Sequence, residues 1–330
     1  MRRDPVDDAT LALLLEVAGT PKPGNVDRHR DLADLRFEAF LGGAVGAREG
    51  LELAADGGTG ADGEAGADEA ATVGRAFERG VEGMAARAGT NTQFGCLLLL
   101  VPLVRATVAG GGTDGDLTPA AVDRVARGTT VDDAIAFYRA FEHVDVAVAD
   151  PPADAADLDV RRGGDAAPAL RERDATLRDV MALSADPPES DGVPDRNARE
   201  WVEGFPRTFR AAEWIRSDEG PLTDRAARAF LGLLAAEPDT LIAANRGPET
   251  AREASERAAA LLGGADPASD ALAGVEGAEI DADAVHVADL DAAEELAVEF
   301  VDEGINPGTT ADLTCAALYV ALRRGAEVAP

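Results

Sequence analysis

Phe94-Gly-Cys-Leu-Leu-Leu-Leu-Val-Pro-Leu-Val104 is apolar on every face of a helical wheel. A helix with no polar face has to be enclosed by other elements. Its longest unbroken apolar run, residues 96–104, falls well short of the ~20 residues a membrane span needs. The stretch therefore predicts a buried central helix with the rest of the chain wrapped around it.

Helical spacing recurs on both sides of this stretch. Upstream, Leu11, Leu14, Leu15 and Ala18 share one face and stop at Gly19. Phe37, Phe40, Leu41, Ala44 and Val45 form the next face, with Asp31 or Asp34 near its start, and Val73, Phe77, Val81 and Met84 a third. Downstream, Thr129-Thr130 caps the helix carrying Ile135, Tyr138 and Phe141, and Pro206 predicts a break in the pattern from Trp201 to Trp214. Helices opened by Thr223, Asp239 and Pro248 follow, then one over Leu290 to Val301 and a last one capped by Thr309 or Thr310.

Strand signals are confined to 143–148 and 284–287, and no β-α-β alternation is present. The expected fold is all-α: one multi-helix domain over residues 1–330, with acidic, Gly-rich surface loops at 56–69, 109–116, 150–165, 186–195 and 263–283.

Composition limits the partners. Sixty-two acidic against 31 basic residues give a net charge of −31 spread along the chain. Such a surface repels nucleic-acid phosphates and anionic lipid, so neither is an expected partner. It reads as adaptation to a salt-rich cytoplasm, because salt screens the self-repulsion. Cys96 and Cys315 are the only cysteines, each among aliphatic residues, which suits buried thiols in a reducing compartment rather than a zinc site. The N-terminus turns acidic at once and carries no hydrophobic signal core, which again points to the cytoplasm. An oligomer is compatible with all of this.

Of the 31 basic residues only one is lysine, Lys22, and it stands in Thr20-Pro-Lys-Pro-Gly-Asn-Val-Asp-Arg-His-Arg-Asp31. Two prolines stiffen the backbone around it, and Gly24-Asn25 permits a tight turn or a close approach to a ligand. Lys22, Arg28 and Arg30 gather cations in an otherwise acidic chain, as a phosphate-rich anion would require.

A second segment, Gly89-Thr-Asn-Thr-Gln-Phe-Gly95, opens the central helix and holds the only glutamine. Thr90 or Asn91 can cap that helix, yet capping does not account for four consecutive polar residues, Thr90, Asn91, Thr92 and Gln93. Their amides and hydroxyls can read a base, a ribose or a phosphate. A third segment, Asn306-Pro-Gly-Thr-Thr-Ala-Asp312, opens the last helix. The three together suggest one pocket lined by helix starts, where anions bind well. His143-Val-Asp145 and Asp239…Arg246 are accessory candidates, and His286 reads as structural. No Walker A, GxGxxG, GxSxG or HExxH pattern occurs.

These segments resemble the triphosphoribosyl-dephospho-CoA synthase family of the CitG/MdcB type, and the acidic composition suggests a halophilic archaeal member. The resemblance is carried by Glu16-Val17, Thr20-Pro-Lys-Pro-Gly-Asn-Val-Asp-Arg28 with His29-Arg-Asp31, Thr90-Asn-Thr-Gln-Phe-Gly95 and Gly308-Thr-Thr-Ala-Asp-Leu313. Arg199-Glu-Trp-Val-Glu-Gly-Phe205 and Asp239-Thr-Leu-Ile-Ala243 add to it. One departure is that His29-Arg-Asp31 follows Asn-Val-Asp-Arg directly, without the longer Asn-rich stretch of bacterial members. The resemblance implies an all-α enzyme that moves the triphosphoribosyl group of ATP to the 2′-hydroxyl of 3′-dephospho-CoA and releases adenine.

Such a transfer needs a triphosphate cradle, a stabiliser for an oxocarbenium-like sugar and a group that accepts the hydroxyl proton. Lys22, Gly24, Asn25, Arg28, Thr90, Asn91, Thr92, Gln93, Thr309 and Thr310 are the expected ATP contacts, with Mg²⁺ neutralising phosphate charge. Asp27, Asp31 or Asp312 suits the sugar cation or the metal, with Asp31 and Asp312 the metal candidates. His29 or Asp31 suits the proton. Two alternatives fit the same residues: another ATP-dependent glycosyl or phosphoryl transferase with a different acceptor, and a non-catalytic nucleotide-binding protein.

Overall fold

Helix is the repeating backbone form throughout the computed structural model, which describes residues 3–56, 71–111, 117–148, 151–185, 193–263 and 280–328. The N-terminal part holds α1 (Pro5–Ala18), α2 (Phe37–Gly46), α3 (Arg48–Asp56), α4 (Val73–Ala88) and α5 (Phe94–Ala109). The middle holds α6 (Pro119–Arg127), α7 (Val131–Ala140), α8 (Ala167–Glu172), α9 (Leu177–Ala185), α10 (Arg196–Glu203) and α11 (Pro206–Ser217). Then come α12 (Leu222–Ala236), α13 (Thr240–Arg246), α14 (Pro248–Ala259), α15 (Ala282–His286), α16 (Leu290–Glu303) and α17 (Gly308–Arg323).

The apolar stretch that opened the reading is α5, buried from Cys96 through Val104. It packs against α17, which is also buried along most of its length, and α1 closes on α17 from another side. Two polar ties cross this interior. Pro102 has no N–H to give the Leu98 carbonyl one turn back. The Trp201 indole of α10 donates to that carbonyl instead, at 3.2 Å. Thr107 and the Tyr319 hydroxyl meet at 2.8 Å between α5 and α17. One hydrophobic cluster runs from Val6 to Ala326 through these helices.

The chain breaks where its chemistry dictates. Thr130 and Asp133 form a reciprocal capping box on α7. Gly204, in a left-handed conformation, ends α10, and Pro206 starts α11 at its first position, so the break expected at Pro206 is a clean junction. Three expectations fail. Residues 143–148 are irregular rather than a strand, and 284–287 falls in the short helix α15 and its end. Valine alternating with polar or small residues satisfied the strand pattern in both places, but neither segment finds a partner edge. Thr309 and Thr310 do not cap α17, which starts at Gly308.

The acidic stretch at 150–165 is also not a plain solvated loop. From Pro151 onward it folds into 3₁₀ turns over Ala153–Leu158 and Val160–Ala166, packed on α7. The Tyr138 hydroxyl anchors it by donating to the Leu158 carbonyl at 2.6 Å. The other four acidic connectors lie largely outside the described residues.

Candidate active site

The loop from Thr20 to Asp31 is organised by Asp27, which is fully buried. Its carboxylate accepts from the Thr20 hydroxyl (2.9 Å), the His29 amide (2.8 Å) and the Arg30 guanidinium (2.7 Å). Gly24 adopts φ +71°, and a Cβ there would lie 2.0 Å from the Ile305 carbonyl. Only glycine permits this approach. Its result is a bond from the Asn25 amide to Asn306 at 3.0 Å, which joins the loop to the segment before α17.

Lys22 is 1 % exposed, and its ammonium pairs with Glu16 of α1 and reaches Asn25 Oδ1 at 3.2 Å. Burial raises the Glu16 carboxyl above its usual range, and Lys22 offsets part of that rise. Lys22 thus stands behind the cavity wall with its charge matched. The outer half of the loop faces away. Arg28 and His29 are exposed, and Asp31 accepts from the Phe37 amide at 2.8 Å to cap α2, with its side chain 42 % exposed.

The second segment divides similarly. Asn91 Oδ1 accepts from the Phe94 amide at 3.2 Å, and its Nδ2 donates to the Asp145 carbonyl at 3.3 Å. Thr92 joins Asn91 on the cavity wall. Gln93 is buried behind them, its Nε2 on the Leu13 carbonyl at 3.4 Å, and Thr90 is exposed.

At the third segment Thr309 and Asp312 face the cavity, whereas Thr310 is fully buried. Asp239, the N-cap of α13, accepts from both the amide and the hydroxyl of Thr310 at 2.7 Å. It thereby locks the start of α17 to α13. The Arg196 guanidinium adds a bond to the Thr310 hydroxyl at 2.9 Å.

Asp312 is held from two sides. Asn197 Nδ2 donates to Oδ2 at 2.9 Å and the Cys96 thiol to Oδ1 at 3.3 Å. A Cβ on Gly95 would come within 1.9 Å of Oδ2, so any side chain there would displace the Asp312 carboxyl. Burial pushes the Asp312 carboxyl up to about 7. The Asn197 and Cys96 bonds oppose this, and nearby Glu16 reinforces it. Both cysteines are free and buried, as expected.

These groups surround one cavity of about 1010 Å³. Asn25, Asn91, Thr92, Thr309 and Asp312 are the residues singled out in the sequence that line it. Reading the sequence alone gave no role there to Glu16, Cys96, Asp195, Asn197 or to Phe137 and Phe141, which form an aromatic wall with Phe94. The Phe94 ring meets Phe141 at 4.9 Å between centroids, so this wall begins one residue from Gly95. Among the described residues the lining carries five carboxylates (Glu16, Asp154, Asp159, Asp195 and Asp312) and no Lys or Arg.

The expected metal pair does not form. Asp31 is outside the cavity, and no group of three or more His, Cys, Asp or Glu side chains suited to a metal exists among the described residues. The protein's own donors do not build a cage for Mg²⁺. The accessory candidates divide too: His143 is exposed, Asp145 serves through its backbone, and Asp239 holds Thr310, while His286, read as structural, contacts the Trp214 carbonyl at 3.1 Å.

An all-α chain whose helix starts (α5, α10, α13, α17) meet around a cavity spacious enough for more than one small molecule has the design of a group-transfer enzyme. The chain belongs to the CitG family, ATP:dephospho-CoA triphosphoribosyl transferase, whose model matches residues 2–329. It is a transferase that takes ATP as a substrate and forms triphosphoribosyl-dephospho-CoA. The fold is similar to a crystal structure from Archaeoglobus fulgidus to which triphosphoribosyl-dephospho-CoA synthase activity is provisionally ascribed. The two share 22 % identity at a TM-score of 0.58, over 86 % of this chain and 99 % of that one. No curated protein matches the chain significantly. Among the described residues no helix is long and apolar enough to cross a membrane.

Proposed function

We propose that Asp312 is the general base of the transfer, taking the proton of the acceptor's 2′-hydroxyl as that oxygen bonds to C1′ of the ATP ribose. The bond from C1′ to N9 of adenine breaks with its electron pair going to N9, which takes up a proton from solvent so that neutral adenine departs, and Asp312 then returns its proton to solvent. The observation that carries this is a buried cavity carboxyl near neutrality, where a base is most effective. Glu16, Asp312 and Asp195 also set negative charge around a sugar that becomes cationic as adenine departs. Asn25, Asn91, Thr92 and Thr309 supply hydrogen bonds to ribose and phosphate, and the first turn of α17 adds a dipole suited to an anion.

A triphosphate entering a cavity with no basic lining needs its charge balanced from elsewhere. Mg²⁺ carried on the phosphate oxygens would supply that balance, and one or two of the cavity carboxylates would complete its coordination. Lys22 acts indirectly, fixing Glu16 and Asn25 rather than touching phosphate. The net charge of −31 supports a protein at home in a salt-rich cytoplasm.

The test is adenine release from ATP, in concentrated KCl, with and without dephospho-CoA. Release that requires dephospho-CoA and falls about 10³-fold in Asp312→Asn, with ATP binding retained, is the expected outcome. Turnover undiminished in Asp312→Asn overturns the assignment.

A further inference from the structure

Asn197 carries a polar atom that the fold leaves unused. The residue is 9 % exposed, lines the cavity, and gives its Nδ2 to Asp312 at 2.9 Å. With Asp312 ionised, as a base has to be, that bond fixes the orientation of the amide, because a carboxylate can only accept. Asn197 Oδ1 is then buried with no partner among the described residues. Buried acceptors left unpaired are uncommon, and one on a residue that lines the cavity asks for a donor from the ligand. The donor has to lie beside whatever group Asp312 engages.

Resting on the assignment of Asp312 as the base for the 2′-hydroxyl, we infer that Asn197 Oδ1 accepts a hydrogen bond from the acceptor's neighbouring 3′-hydroxyl. Asn197 is in this way the residue that selects a 3′-dephosphorylated acceptor over its 3′-phosphorylated form. A 3′-phosphate in the same place would set oxygen against oxygen, because a phosphate dianion has no proton to donate. It would also bring that charge among Glu16, Asp195 and Asp312 in a cavity with no Lys or Arg on its wall. Rejection and recognition thus arise from the same feature. A site built to bond a hydroxyl discriminates strongly against analogues that lack it.

The test is a cycle of two acceptors on two proteins. Dephospho-CoA and its 3′-deoxy analogue are compared on the unaltered enzyme and on Asn197→Ala, reading kcat/KM for the acceptor. The unaltered enzyme is expected to lose on the order of 100-fold with the deoxy analogue, and Asn197→Ala to treat the two within about threefold. CoA is expected to be neither a substrate nor a competitive inhibitor at concentrations that saturate with dephospho-CoA. Equal use of the two acceptors by the unaltered enzyme overturns the inference without any variant having to fold. Undiminished discrimination in a folded Asn197→Ala overturns it as well. Asp312→Asn, assayed alongside, isolates the base assignment, since its turnover fails with every acceptor whether or not Asn197 reads the 3′ position.

Discussion

Two buried carboxyls, Glu16 and Asp312, border the same cavity, and the chain treats them differently. Glu16 is given a full counter-charge in Lys22, which also grips Asn25. Asp312 is given only neutral donors, an amide and a thiol. A matched pair in a dry interior fixes geometry, whereas an unmatched carboxyl keeps a proton affinity that chemistry can use. The single lysine of the chain therefore reads as an anchor for the loop, and the proposed base is the carboxyl on α17.

The largest effect that would break this contrast is the loss of turnover in Asp312→Asn. Next is Lys22→Met, which strands Glu16 in the interior. Removing one member of a buried pair costs roughly 3–5 kcal/mol. Denaturant unfolding in concentrated KCl should show such a drop, with most of it recovered when Glu16→Gln is added. Stability unchanged by Lys22→Met would mean that the pair is not formed.

A third effect concerns stability against pH. Asp312 titrates from its usual 3.8 up to about 7 in the fold. A raised acid pKa contributes stability fully below the unfolded value and loses it as pH rises through about 7. Above that pH the ionised carboxyl is a burden, so Asp312→Asn should be more stable than the unaltered protein, by on the order of 2 kcal/mol. The advantage should fade toward pH 4, as thermal melts at paired pH values would record. The smallest effect belongs to the outer loop: His29→Ala and Arg28→Ala, both at exposed positions outside the cavity lining, should change kcat/KM less than about twofold.

Much of this was legible in the chain. The run from Phe94 to Val104 announced a central helix because nothing polar interrupts it, and residues of all three polar segments do line one cavity, although the first segment is a loop and not a helix start. What stayed hidden depended on contacts made across the fold. Asn197 sits in an ordinary amphipathic pattern and acquires meaning only from Asp312, which is far away in sequence. The cluster Lys22, Arg28, Arg30 looked like one cationic patch. The turn at Gly24 and the grip of Asp27 instead send Lys22 inward and Arg28 outward. Alternation at 143–148 imitated a strand, yet the segment runs along the cavity, with Val146, Ala147 and Val148 on its wall.

The central claim is that an uncompensated carboxyl on α17 drives the transfer. Its most direct measurement is the pH dependence of kcat/KM for dephospho-CoA-dependent adenine release. A base has to be ionised to act, so the rate should climb tenfold per unit below a midpoint near 7 and level off above it. The same midpoint should appear in His29→Ala. A rate independent of pH through that window, or a midpoint that vanishes with His29, would contradict the account.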